Sequence, residues 1–128
     1  MQKKEIISNE APERNGPYSQ AITTEQLLFC SGQVAKDSVT GKLVPGGVRE
    51  QTLKTLKNIE AILKGAGCGF DDVLKTNIFL KNLASFPIMN EVYRECFREP
   101  YPARTTVEVP VLPMDAEIEI EVIAKVGK

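Results

Sequence analysis

The sequence predicts an α+β domain with both helices on one face of its sheet. Three observations carry that prediction: strand-like runs near both ends, two segments whose apolar residues recur at helical spacing, and a further strand-like run between those segments. At 128 residues the chain can bury one core but cannot hold a catalytic domain and a separate binding domain. Residues 1–128 therefore read as a single domain.

Lys4 to Ile7 is a short first strand, and the stretch from Glu10 through Pro17 reads as loop. Ala21 to Thr24 and Leu27 to Gln33 are two strands separated by Glu25 and Gln26, which suggests a tight hairpin. Asp37 to Gly41 is a surface turn, and Pro45-Gly46-Gly47 breaks the chain again. From Val48 the period changes: Leu53, Leu56, Ile59 and Leu63 recur at helical spacing, with Arg49, Glu50, Lys54 and Lys57 on a solvated side. Gly65, Gly67 and Gly69 supply the stop. Val73 to Leu80 is the next strand. Ser85 is positioned to cap a second helix that carries Pro87 in its first turn and Phe86, Met89, Tyr93, Cys96 and Phe97 on its apolar side. Two strands follow, Arg104 to Val109 and Glu117 to Val126.

Composition narrows the chemistry. The chain has no histidine, so an imidazole base, a histidine-containing triad and a histidine-ligated metal are excluded. Sixteen basic against seventeen acidic residues give a formal net charge of −1, without the basic surplus that drives phosphate binding, so nucleic acid is a poor candidate partner. The N-terminal residues form no signal-like apolar run and no segment is of membrane-spanning length, so a cytoplasmic protein is expected. Cys30, Cys68 and Cys96 match no metal or redox spacing and are expected to stay reduced, Cys30 and Cys96 as core filling.

The most informative stretch is Pro102-Ala103-Arg104-Thr105-Thr106-Val107-Glu108-Val109, followed by Ile118-Glu119-Ile120-Glu121. Alternation puts Arg104, Thr106 and Glu108 on one side of the first strand, and Glu117, Glu119 and Glu121 opposite the apolar side of the second. If the helices cover the apolar face, arginine and glutamates emerge together on the uncovered one. An arginine fork suits a small carboxylate, because it gives two parallel charge-assisted hydrogen bonds and keeps its proton. The commoner fate of such an arginine is a cross-strand ion pair. Asn90 lies on or beside the apolar side of the second helix, polar where packing prefers carbon, and loop backbone could equally satisfy it. Gly16-Pro17-Tyr18-Ser19 presents a phenol at a turn, and Ser31-Gly32 lets backbone approach a ligand closely.

Together these segments closely resemble the RidA/YjgF/YER057c/UK114 family. The matching pieces are Gly16-Pro17-Tyr18-Ser19-Gln20-Ala21, Ser31-Gly32-Gln33, Gln51-Thr52 with Asn58-Ile59, Lys75-Thr76, Asn90 with Tyr93, Pro102-Ala103-Arg104, and Ile118-Glu119-Ile120-Glu121. The resemblance implies a chorismate-mutase-like protomer with a mixed sheet, assembled as a homotrimer around a central barrel with clefts between subunits. It further implies hydrolysis of 2-iminobutanoate and 2-iminopropanoate to 2-keto acids and ammonia, without cofactor or metal. By the same resemblance Arg104 clamps the substrate carboxylate and Glu119 holds or activates the attacking water. Tyr18 and Asn90 form the polar wall, and Gly32 and Thr106 offer backbone contacts. The alternatives are a non-catalytic keto-acid-binding regulator and, with less physical support, a nuclease for single-stranded RNA.

Overall fold

The computed structural model describes residues 2–127. Its elements run β1 (Lys4–Ile6), β2 (Ala21–Thr23), β3 (Leu27–Gln33), α1 (Val48–Gly65), β4 (Val73–Leu80), α2 (Phe86–Cys96), β5 (Ala103–Glu108) and β6 (Ile118–Lys125). The strands form one sheet in the order β1-β2-β3-β6-β4-β5. Every neighbouring pair is antiparallel except β4 and β5, whose parallel pairing uses α2 as the crossover such strands require.

Helix α1 starts where the Gly47 amide donates to Glu50 Oε1 at 2.9 Å. It ends in a Schellman turn: Gly67, at φ +76, donates to the Lys64 carbonyl, and Cys68 donates to the Leu63 carbonyl. Its inward face carries Leu56, Ile59, Ile62 and Leu63 against Leu28, Ile78, Leu80, Ile118 and Ile120 of the sheet. Leu53, expected on that stripe, is instead exposed, and polar Gln51, Thr52, Thr55 and Asn58 are buried. Gln51 and Asn58 have work to do there. Gln51 Oε1 accepts from the Glu117 amide at 2.8 Å, and Asn58 Nδ2 donates to the Val34 and Lys36 carbonyls at 3.1 and 3.0 Å. Both side chains thus fasten the backbone at one end of the central strands, where β3 finishes and β6 begins.

Met89, Val92 and Tyr93 bring α2 into the same core. Pro87 lies in its first turn, but Ser85 makes no capping bond. Ser85 already has helical backbone angles because it belongs to a preceding 3₁₀ turn, Leu83–Ser85, and Asn82 Oδ1 accepts from the Ala84 amide there instead. Cys30 is buried, Cys68 and Cys96 are partly so, and all three are free thiols.

The sheet register decides which side chains share a face. Thr76 and Ile78 of β4 stand opposite Arg104 and Thr106 of β5, and also opposite Val122 and Ile120 of β6. Arg104 therefore belongs to the helix-covered side. Phe79 and Asn77 stand opposite Glu119 and Glu121, which belong to the other side. The expectation that Arg104 and the glutamates share a face is thus corrected. The alternation within each strand is as expected, but β5 is an edge strand, where a polar side can lie beside the helical layer and the apolar Val107 can face outward. On the uncovered face Phe29 and Val107 are 43% and 41% exposed.

Candidate active site in two half clefts

The first half cleft is built on the helix side at the β5 edge. It encloses about 400 Å³ among Asn90, Tyr93, Arg94, Tyr101, Pro102 and Arg104. Phe86, Met89 and Tyr93 recur at i, i+3 and i+7 along α2, so they form a single stripe, and the Arg104 guanidinium lies against it. Its central carbon is 4.8 Å from the Tyr93 ring centroid and 5.3 Å from that of Phe86, and Nη1 is 4.0 Å from Met89 Sδ. These contacts hold the cation through ring faces and a soft sulfur. No carboxylate pairs with Arg104 among the described residues. The cross-strand ion pair is therefore not formed within the chain, and most of the guanidinium donors remain available.

Tyr93 is itself fixed by a 2.9 Å hydrogen bond between its hydroxyl and Thr76 Oγ1, both residues being buried. Burial raises the phenol's pKa, while the Thr76 hydrogen bond and the Arg104 charge pull it the other way. Tyr93→Phe is expected to destabilise the protein by about 1–3 kcal/mol, because it strands the Thr76 hydroxyl, while the ring still flanks Arg104. Thermal unfolding of the variant checks this; an unchanged melting temperature would show that the hydroxyl pair contributes nothing. Thr106 lies on the same sheet side, and its Oγ1 is buried without a hydrogen-bond partner.

The second half cleft opens on the uncovered face and encloses about 550 Å³, with Tyr18, Gly32, Lys36, Met114, Glu119 and Glu121 among its lining residues. Tyr18 comes from a loop pinned by buried Gln20, whose Nε2 donates to the Pro12 carbonyl at 2.8 Å and whose Oε1 accepts from the Ser8 amide at 2.7 Å. The Tyr18 hydroxyl donates to Asn15 Oδ1 at 2.9 Å. Ser31 Oγ donates to the Ser19 carbonyl at 2.6 Å, tying that loop to β3.

Gly32 is needed for space. A Cβ at this position would sit 2.7 Å from Glu119 Oε2 and 2.9 Å from Glu119 Cδ, while its φ lies outside the left-handed region. Gly32→Ala is therefore expected to fold, because the end of a glutamate can move aside, but to displace the carboxylate. If Glu119 acts on the reaction, kcat should fall by about 10- to 100-fold with little change in melting temperature; wild-type kcat would show that the carboxylate's position is unimportant.

Glu119 is half-buried, and burial is the main cause of a raised pKa, with the Glu121 carboxylate adding to it. Arg104 is absent from those causes, as its place on the opposite side of the sheet requires. Glu121, a further lining residue, is held by Asn77 Nδ2, which donates to its Oε2 at 3.0 Å. Cys30 is unsuited to nucleophilic work: burial first and Glu121 second push its pKa up to about 12.

Of the residues singled out in the sequence, Tyr18, Gly32 and Glu119 come together in one half cleft, and Arg104 and Asn90 in the other. The chain does not join the two groups. Phe86 and Met89 were read only as packing; their spacing with Tyr93 along one helical stripe was the available sign that they could cradle a cation.

Two helices on one face of a mixed six-stranded sheet, with polar clefts at its edge and on its open face, define the class of α+β protein to which solved chains of this shape belong. A putative endoribonuclease from Thermotoga maritima superposes with a TM-score of 0.95 at 41% identity, covering 99% of both chains. TdcF from E. coli, solved with bound serine, superposes with a TM-score of 0.91 at 37% identity, covering 97% of this chain and 99% of that one. In sequence, a RutC family protein of Pyrococcus abyssi is 48% identical over 97% of this chain and 98% of its own. A 2-iminobutanoate/2-iminopropanoate deaminase of Mus musculus is 43% identical over 98% and 93%. The family described as Endoribonuclease L-PSP matches residues 8–126, and the chain belongs to that family, the RidA/YjgF group indicated by its sequence segments.

Proposed function

We propose that this protein hydrolyses small 2-imino acids, 2-iminobutanoate and 2-iminopropanoate among them, to 2-keto acids and ammonia. The observation that carries the proposal is the state of Arg104: a guanidinium steadied by two aromatic rings and a thioether, without an acidic partner among the described residues. Such a group is prepared for a carboxylate that arrives with the substrate. Relatives named as iminobutanoate deaminases support the reaction, and the serine-bound relative supports a small amino-acid-like guest.

Because Arg104 and Glu119 face opposite sides of the sheet, the functional unit in this proposal is a homotrimer in which the half clefts of neighbouring subunits meet. Covering the exposed Phe29 and Val107 favours the same assembly. Arg104 then fixes the imino acid by its carboxylate, with Asn90, Tyr18 and the backbone at Gly32 and Thr106 as polar wall. Glu119 takes a proton from water as the oxygen bonds to the iminium carbon, a role favoured by the burial that raises its pKa within the chain. That proton passes to nitrogen, the C–N bond breaks, and C=O forms as ammonia leaves; iminium and water become keto acid and ammonium. The residues supply the carboxylate clamp and the base, so the scheme calls on no cofactor or metal.

Coupling the purified protein to threonine dehydratase, which releases the enamine, tests the reading: keto-acid and ammonia formation should accelerate with added protein. Saturable keto-acid binding without acceleration would favour a regulatory carboxylate binder instead. The name of the matched family raises RNA cleavage, which the absence of histidine and the net charge of −1 disfavour.

A further inference from the structure

The half cleft that holds Arg104 is bordered by a second arginine that a monocarboxylic imine leaves unused. Arg94 lines it one helical turn beyond Asn90, together with Tyr93, Tyr101 and Pro102, and no acidic residue lines it among the described residues. An exposed arginine is usually solvated or paired on its own helix, yet Arg94 forms no ion pair among the described residues. Its neighbours are engaged elsewhere. Glu91 binds Arg49 at 2.9 Å, and Asp71, which shares an adjoining surface groove with Arg94, is paired with Arg98. Asp72 and Glu95 line that adjoining groove as well, and neither pairs with Arg94. Two arginines line one half cleft, with no acidic residue beside them in its lining among the described residues, and this leaves positive charge for a second acidic group.

From this juxtaposition we infer that the site accepts dicarboxylic 2-imino acids, Arg104 taking the carboxylate beside the imine and Arg94 the one at the end of the side chain. The inference rests on the imine-hydrolase reading and names a substrate class for the same cleft. The reaction is unchanged: water adds at the imine carbon, ammonia leaves, and the distal carboxylate takes no part in bonding.

The test compares two substrates of equal size that differ in one charge, 2-iminoglutarate and 2-iminoglutaramate, made in place from L-glutamate and L-glutamine by amino-acid oxidases, with 2-iminobutanoate as the monocarboxylic reference. Wild type should show kcat/KM for the dicarboxylate roughly tenfold above that for the amide, and Arg94→Gln should abolish this ratio while Arg94→Lys keeps part of it. Hydrolysis of 2-iminobutanoate with no preference for the dicarboxylate, or a ratio unmoved by Arg94→Gln, overturns the inference and leaves the imine-hydrolase reading standing. Failure to hydrolyse any of the three overturns both.

Discussion

Replacing Arg104 by alanine is expected to lower kcat/KM for imine hydrolysis by about 10²- to 10³-fold, the usual scale for losing one partner of a desolvated charge pair. The fold should survive, because the residue lies on an edge strand and is only half-buried. Arg104→Lys keeps the charge but loses the planar fork and the fit between two rings, so a smaller loss of about tenfold is expected. Ammonia release in the coupled assay, with thermal unfolding as the folding control, checks both. Full activity in Arg104→Ala would remove the arginine from the mechanism. The variant also examines the shared site. Arg104→Ala and Glu119→Gln subunits, inactive separately, should regain roughly a quarter of wild-type activity when unfolded and refolded together, since some clefts then draw each residue from an intact source. No recovery on mixing would argue that one chain supplies both.

Glu119→Gln is expected to separate activity from stability. Removing the base should lower kcat by about 10²- to 10³-fold. Stability should move the other way. Folding raises the pKa of this carboxyl, chiefly by burial, so the native state holds the proton more tightly than the unfolded chain. The group therefore favours folding most when protonated, below the unfolded glutamate range. That contribution is lost as pH rises through the raised native value, and above it the ionised, half-buried carboxylate is a net cost. Neutral glutamine removes that cost, so the variant should melt at a higher temperature than wild type at neutral pH, with the difference vanishing in acid. A variant less stable than wild type at neutral pH would show that Glu119 is structurally needed in its charged form.

Much of the fold was legible because periodicity reports burial directly. Leu27–Gln33 and Val73–Leu80 have the expected limits, and both helices lie where the apolar spacing placed them. Leu53 was misplaced because a helix face was judged by its carbons, whereas Gln51 and Asn58 occupy the inner side to satisfy loop backbone. Ser85 was misjudged because a 3₁₀ turn leads into α2, and that turn leaves no marked residue pattern. The candidate residues were legible one at a time. Their relation across the sheet was not, since strand alternation fixes which residues share a side but not which side an edge strand turns to the helices. That choice is made by the pairing of Thr76 with Arg104, a contact between distant parts of the chain.

The position of β6 also constrains how the molecule is made. It comes sixth among the strands in sequence, yet it lies between β3 and β4 and hydrogen-bonds to both. On the ribosome, β1 to β3 can pair as a meander and β4 can pair with β5 around α2, but these remain two separate half-sheets until Ile118–Lys125 has emerged. Formation of the complete sheet should therefore be a late event that closes long loops. Nascent chains halted before Ile118 should be protease-sensitive and dependent on chaperones.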